Sequence, residues 1–343
     1  MLTKSIRGVP HAYDFTYPKA DARTNFPPDQ LEEGACPLVF IHGWLLSRTY
    51  WQPLVQALST SYPCLTYDMR GFGESVLPTD LPDDQSGEQP SDQSDEQTGT
   101  NLQTIDLPAG RFLRGRRDGP KQATYQASTY SLAAYAKDLE SLLDHLALDQ
   151  VWLLGHSLGG SVALWAAYLL PDRIKGVICI NAGGGIYIKD EFEKFRTAGQ
   201  QMLKFRPGWL AQLPLLPRAF ARLMVQQPLS VSWGQQRVRD FVRANAQAAK
   251  GALLESTTAA EVYLLPQVVS QLEQPLHFIT ATEDTIMPRR YVDYLASFHS
   301  GFAQGRMVSE IPNCGHMAMV EQPERVAQIV RAALQPRAFC PAT

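Results

Sequence analysis

V-W-L-L-G-H-S-L-G-G-S, residues Val151 to Ser161, encodes a strand, a sharp turn and the start of a helix. Gly155, His156, Ser157, Leu158 and Gly159 fit G-x-S-x-G, in which a serine hydroxyl is left exposed at the tip of a strained strand-to-helix turn. Glycines two residues to either side let neighbouring backbone crowd that turn. The pattern arises often by chance and gains its meaning from its flanks. Gln150 to Leu154 is an apolar run of strand length, and Val162, Leu164, Trp165, Ala166 and Leu169 recur at helical spacing. A rival reading makes the uncharged segment from Val151 to Leu170 a membrane span with a G-x-x-x-G face. That span would carry His156, Ser157 and a Gly-Gly pair at its midpoint, where polar groups are expensive. A strand, a turn and a helix explain the same letters at lower cost.

Working outward, the pieces that such a serine needs appear in order. Pro37 to Ile41 is a buried-strand pattern running into His42-Gly43-Trp44, with a helix over Trp51 to Leu58. Acyl transfer needs backbone N-H donors aimed at the developing oxyanion, and the amides of Trp44 and Leu158 are the candidates. His42 reads as structural. Tyr62 to Tyr67 is the next strand and ends in the glycine-punctuated loop from Asp68 to Ser75. Pro78 to Asp106 then carries eight acidic residues and no Lys or Arg, and a short basic run follows from Arg111 to Lys121. Such composition buries too little to order itself, so residues 76–126 are expected to be a disordered insertion within the core.

Periodicity resumes with Leu132, Tyr135, Ala136, Leu139, Leu142, Leu143 and Leu146 on one face of a helix, and Ile174 to Ile180 supplies a further strand. Strand and helix alternate as a parallel sheet requires. Residues 186–265 are different: bulky apolar side chains, chopped by Pro207, Pro214, Pro217 and Pro228, form short helices outside that alternation. They read as a lid over the site, with Trp44, Phe205, Trp209, Leu213, Leu216 and Phe220 as candidate substrate contacts. Strands at Leu276 to Thr280 and Met307 to Ile311 and a helix over Glu321 to Leu334 close the chain.

A serine hydroxyl is unreactive at neutral pH without a base, and the base needs an acid to hold its tautomer. Of the seven histidines, His316 alone follows a late strand through a glycine turn; the acid is Asp284 or its neighbour Glu283, both just past the preceding strand. The order Ser, acid, His is one that this geometry uses.

These motifs resemble the α/β-hydrolase superfamily, in its broad group of lipases, esterases and C-C hydrolases. The resemblance rests on H-G-W at 42, D-M-R-G-F-G-E-S at 68, G-H-S-L-G-G at 155, E-D-T-I-M-P at 283 and C-G-H-M-A-M-V-E-Q-P-E at 314. It implies an α/β fold with a mostly parallel twisted sheet, a core of residues 1–185 and 266–343, and a helical cap, 186–265, inserted after the sixth strand. It further implies Ser157 as nucleophile, Asp284 as acid and His316 as base. Some members carry the acid directly after the sixth strand; Asn181 stands there instead, which favours Asp284. Members with an aspartate nucleophile, the dehalogenases and epoxide hydrolases, are disfavoured by Ser157.

Composition bounds the rest. A net charge of −3 gives no reason to expect nucleic acid as a partner. Cys36, Cys64, Cys179, Cys314 and Cys340 follow no metal spacing, no cofactor motif is present, and no apolar run follows the basic N-terminus, so a reduced, cytoplasmic protein is expected. The expected activity is hydrolysis of an ester or thioester with an apolar acyl or alcohol part through an acyl-enzyme. A cofactor-free C-C hydrolase or perhydrolase on the same residues, and a non-catalytic ligand binder, are the competing readings.

Overall fold

The computed structural model describes residues 2–17, 36–76, 103–107, 124–185 and 188–335. The strands are β1 (Leu2–Ile6), β2 (Val9–Thr16), β3 (Leu38–Ile41), β4 (Cys64–Tyr67), β5 (Gln103–Asp106), β6 (Thr124–Ala127), β7 (Val151–His156), β8 (Ile174–Ile180), β9 (Leu276–Ala281) and β10 (Val308–Ile311). The helices are α1 (Gln52–Leu58), α2 (Leu132–His145), α3 (Leu158–Leu169), α4 (Lys189–Leu203), α5 (Leu216–Phe220), α6 (Val231–Arg243), α7 (Ala246–Ser256), α8 (Ala259–Ser270), α9 (Arg289–Ala296), α10 (Ala318–Glu321) and α11 (Pro323–Leu334).

Among the described residues, eight strands form one sheet in the order β1-β2-β4-β3-β7-β8-β9-β10. From β4 to β10 every neighbouring pair is parallel, while β1 and β2 add an antiparallel edge. The parallel strands are apolar runs because both faces are covered. Along β3, Val39 and Ile41 point into the core shared with α2, α3 and α8, and Leu38 and Phe40 into the core shared with α1 and α11. The sheet thus sits between two helical layers, and the loops after the parallel strands share one edge, where ligands of open α/β sheets bind.

Three features depart from the sequence reading. β1 was not foreseen: it pairs with β2 across Arg7-Gly8, both at positive φ (51° and 84°), a two-residue turn without the usual Asn-Gly or Asp-Gly signature. Within the expected disordered insertion, β5 and β6 pair antiparallel, with Ile105 and Leu107 buried in the main core. An acidic average over a long window hides two strands of four residues each. The rest of that insertion, 77–102 and 108–123, lies outside the described residues. Third, the boundary drawn at 265 falls inside α8, whose Leu265, Val268 and Val269 are fully buried against the central helices. That helix is part of the core layer.

Candidate active site

β7 ends in the expected elbow. Ser157 has φ 51° and ψ −119°, a strained conformation costing about 1–3 kcal/mol that the surrounding packing must hold. The flanking glycines are required by close approach. A Cβ on Gly155 would lie 2.3 Å from the carbonyl oxygen of Gly159, and one on Gly159 would lie 2.2 Å from that of Ile41. The Ser157 amide donates to the Ile180 carbonyl at 3.1 Å, tying the turn to β8.

Asp284 and His316 arrive from the ends of β9 and β10. His316 Nδ1 lies 2.8 Å from Asp284 Oδ2. An ionised carboxylate only accepts, so Nδ1 carries a proton, and in the neutral form of the ring Nε2 is the nitrogen with the lone pair. Asp284 Oδ1 accepts from the amides of Ile286 and Met287, both at 2.9 Å, and Oδ2 accepts from Asn181 Nδ2 at 2.8 Å. Burial works to raise the Asp284 pKa, but the charge of His316 and these hydrogen bonds win and lower it from 3.8 to about 2. Glu283, the other candidate for the acid, is exposed. Asn181 thus serves the carboxylate from the position after the sixth strand, a role that the sequence alone does not signal.

His156 supports His316 from behind: its Nε2 donates to the His316 carbonyl at 2.7 Å. Burial, with the nearby His316 charge, pushes the His156 pKa down to about 3, so this ring stays neutral. His42 is also a neutral brace. Its Nε2 accepts from the Met69 amide at 2.9 Å, which assigns the proton to Nδ1, 2.8 Å from the Gly43 carbonyl. The loop after β3 lies hard against the elbow, since a Cβ on Gly43 would meet Ser157 Cβ at 3.3 Å. The Trp44 indole is anchored by donating to the Ala249 carbonyl at 2.8 Å.

A cavity of about 360 Å³ opens at Ser157 and His316, walled by Trp44, Phe195 and Met202 of α4, Phe220, Leu223 and Phe241. Of the expected substrate contacts, Trp44 and Phe220 line it, and Phe205, Trp209, Leu213 and Leu216 do not. Phe205 (62% exposed) and Trp209 (50%) pack edge to face on each other at the surface, and Leu216 faces the core. Apolar content marked the helical segment but not which helix face turns inward. Phe241, Ile286 and Arg237 of the lining were not anticipated; Arg237 uses Nη1 to hold the carbonyls of Phe220 (2.8 Å) and Leu223 (2.5 Å). The helical segment is pinned to the histidine loop, where the His316 amide donates to the Met224 carbonyl at 2.9 Å. Among the described residues, no group of three or more His, Cys, Asp or Glu is arranged to hold a metal ion, and no helix is long and apolar enough to cross a membrane.

The chain is similar to several known proteins. An uncharacterized protein of Mycobacterium tuberculosis is 29% identical over 228 residues, 62% of this chain and 64% of its own length, so the match spans just under two thirds of that relative. The pimeloyl-[acyl-carrier protein] methyl ester esterase of Pseudoalteromonas atlantica is 20% identical over 83% of this chain and 89% of its own. Among solved structures, the enol-lactonase of Burkholderia xenovorans superposes with a TM-score of 0.63 at 17% identity, covering 97% of this chain and 99% of its own, a likeness of fold. Residues 37–323 match the family described as alpha/beta hydrolase fold, and the chain belongs to that family.

Proposed function

We propose that this protein is a serine-dependent hydrolase that cleaves an ester or thioester with an apolar acyl or alcohol part through an acyl-enzyme on Ser157. The observation that carries the proposal is the Asp284–His316 hydrogen bond, which leaves His316 Nε2 free to accept a proton on the wall of the cavity that Ser157 enters. His316 takes the Ser157 proton as the hydroxyl attacks the carbonyl carbon, and Asp284 stabilises the imidazolium. The amides of Trp44 and Leu158 hold the oxyanion, the second at the N-terminus of α3, where orphan N-H groups and the helix dipole favour negative charge. His316 returns the proton to the leaving oxygen. Water then attacks the acyl-enzyme with His316 again as base, releasing the acid and restoring the serine.

Helices α4 to α6 act in this reading as the cap, and their apolar faces are the reason for a lipophilic small-molecule substrate. The cytoplasmic setting read from the cysteines belongs to the same proposal; Cys36, Cys64, Cys179 and Cys314 are free thiols. Ser157→Ala is expected to lower turnover of 4-nitrophenyl acetate by on the order of 10⁴ or more with the circular dichroism spectrum unchanged. A loss smaller than tenfold would overturn the proposal.

A further inference from the structure

The space around Ser157 is divided in two. The large lobe of about 360 Å³ includes His316, His156 and Met317 in its walls. A second lobe of about 80 Å³ is walled by Leu158 and Ser161 of α3, Gly184, Leu253, Ser256 and Thr257, and not by His316. Trp44, Ser157, Phe195 and Ile286 line both, so the two lobes meet at the nucleophile.

Chemistry assigns the lobes. When the tetrahedral intermediate collapses, the bond from carbon to the leaving oxygen breaks and that oxygen takes the proton from His316 Nε2. The leaving oxygen must therefore lie within hydrogen-bond reach of His316. The group attached to it occupies the lobe that His316 lines, the large one. The acyl carbon stays bonded to Ser157 Oγ with its oxyanion on the backbone amides, and the acyl chain runs away from His316, past Leu158, into the small lobe. The small lobe has less than a quarter of the volume of the large one, so it takes a short chain and the large lobe a bulky group. On the serine-hydrolase reading above, we infer that the enzyme is selective for short acyl groups esterified to a bulky apolar alcohol or thiol. Leu253, which lines the small lobe and not the large one, sets the acyl limit.

Octyl acetate and ethyl octanoate test this without a difference in composition or size, since they are isomers that place the long chain on opposite sides of the ester. The expected kcat/KM is at least about tenfold higher for octyl acetate, because only it puts the chain into the large lobe. Leu253→Ala is expected to raise the ratio of hexyl hexanoate to hexyl acetate several-fold, and Phe241→Ala to narrow the preference for octyl over ethyl acetate. Equal rates on the two isomers, or a preference for ethyl octanoate, would overturn the assignment while leaving the serine mechanism standing, and so would labelling of Ser157 by a fluorophosphonate without turnover of either isomer. Failure of both labelling and turnover would remove the serine-hydrolase reading itself. The wild-type comparison carries the test if either variant fails to fold.

Discussion

Replacing Asp284 by asparagine exchanges one oxygen for an NH2 group and asks what holds His316. In the native site Oδ1 accepts from two backbone amides, and Oδ2 accepts from Asn181 and His316. An asparagine keeps its carbonyl oxygen on the backbone donors, so its NH2 faces the donors of both Asn181 and His316. The histidine contact is relieved only by the other tautomer, with the proton on Nε2 and no lone pair left for Ser157. Recovering the productive tautomer costs a charged hydrogen bond, about 1.5–3 kcal/mol, and the imidazolium also loses its counterion. The sum is on the order of 5 kcal/mol, or roughly 10⁴ in rate. Stability moves as well. The Asp284 carboxyl is lowered from 3.8 to about 2. A lowered carboxyl contributes stability above about pH 4 and loses it as pH falls through about 2, here on the order of 2–3 kcal/mol. Steady-state kinetics from pH 6 to 9 and urea midpoints at pH 7 and pH 3 measure both effects. Asp284→Asn should lose roughly 10⁴ in kcat/KM, with the stability gap to wild type narrowing at pH 3, while Glu283→Gln stays within about twofold. Activity of the Asp284 variant within tenfold of wild type, or a larger loss for Glu283→Gln, would refute the assignment of the acid.

Two other substitutions probe the molecule away from Ser157, Asp284 and His316. Glu261 is buried between Trp165 Nε1 (2.5 Å) and Tyr125 Oη (3.2 Å), and burial, against those hydrogen bonds, raises its pKa from 4.5 to about 7. A raised carboxyl contributes stability that is complete below about pH 4.5 and is lost as pH rises through about 7, so Glu261→Gln should gain on wild type by up to about 3 kcal/mol between pH 5 and pH 8 in urea melts; an unchanged gap would show that the carboxyl ionises freely. Trp209 is half exposed and outside the cavity, so Trp209→Ala should leave kcat/KM within about twofold for every chain length, and a loss that grows with alcohol size would return it to the substrate site.

Legibility in the sequence followed the strength of the local constraint. Apolar runs buried on both faces, such as Leu38–Ile41 and Ile174–Ile180, are continuous because nothing else survives there, and they were placed within a residue or two. Ser157, Asp284 and His316 each follow a strand in a turn of distinctive letters, and the fold brings Asp284 and His316 within hydrogen-bond distance. β1, β5 and β6 were illegible because short edge strands can be polar on one side and gain order from neighbours far along the chain. The cavity wall was half legible. Bulky residues identified the helical segment, but helices broken by proline have no sustained period to reveal the inward face. Phe205 and Trp209 face solvent where Phe195 and Phe241 turn toward Ser157. In the sequence Asn181 shows only that an acid is missing after the sixth strand, and its amide lies 2.8 Å from the carboxylate that it holds because the fold brings two distant strand ends together.

The most direct test of the central claim is stoichiometric reaction with a fluorophosphonate followed by peptide mass mapping. The expected result is a single adduct on Ser157, formed at least about 10³-fold more slowly in His316→Ala and absent in Ser157→Ala. An adduct on any other serine, or labelling at Ser157 that ignores the loss of His316, would contradict it.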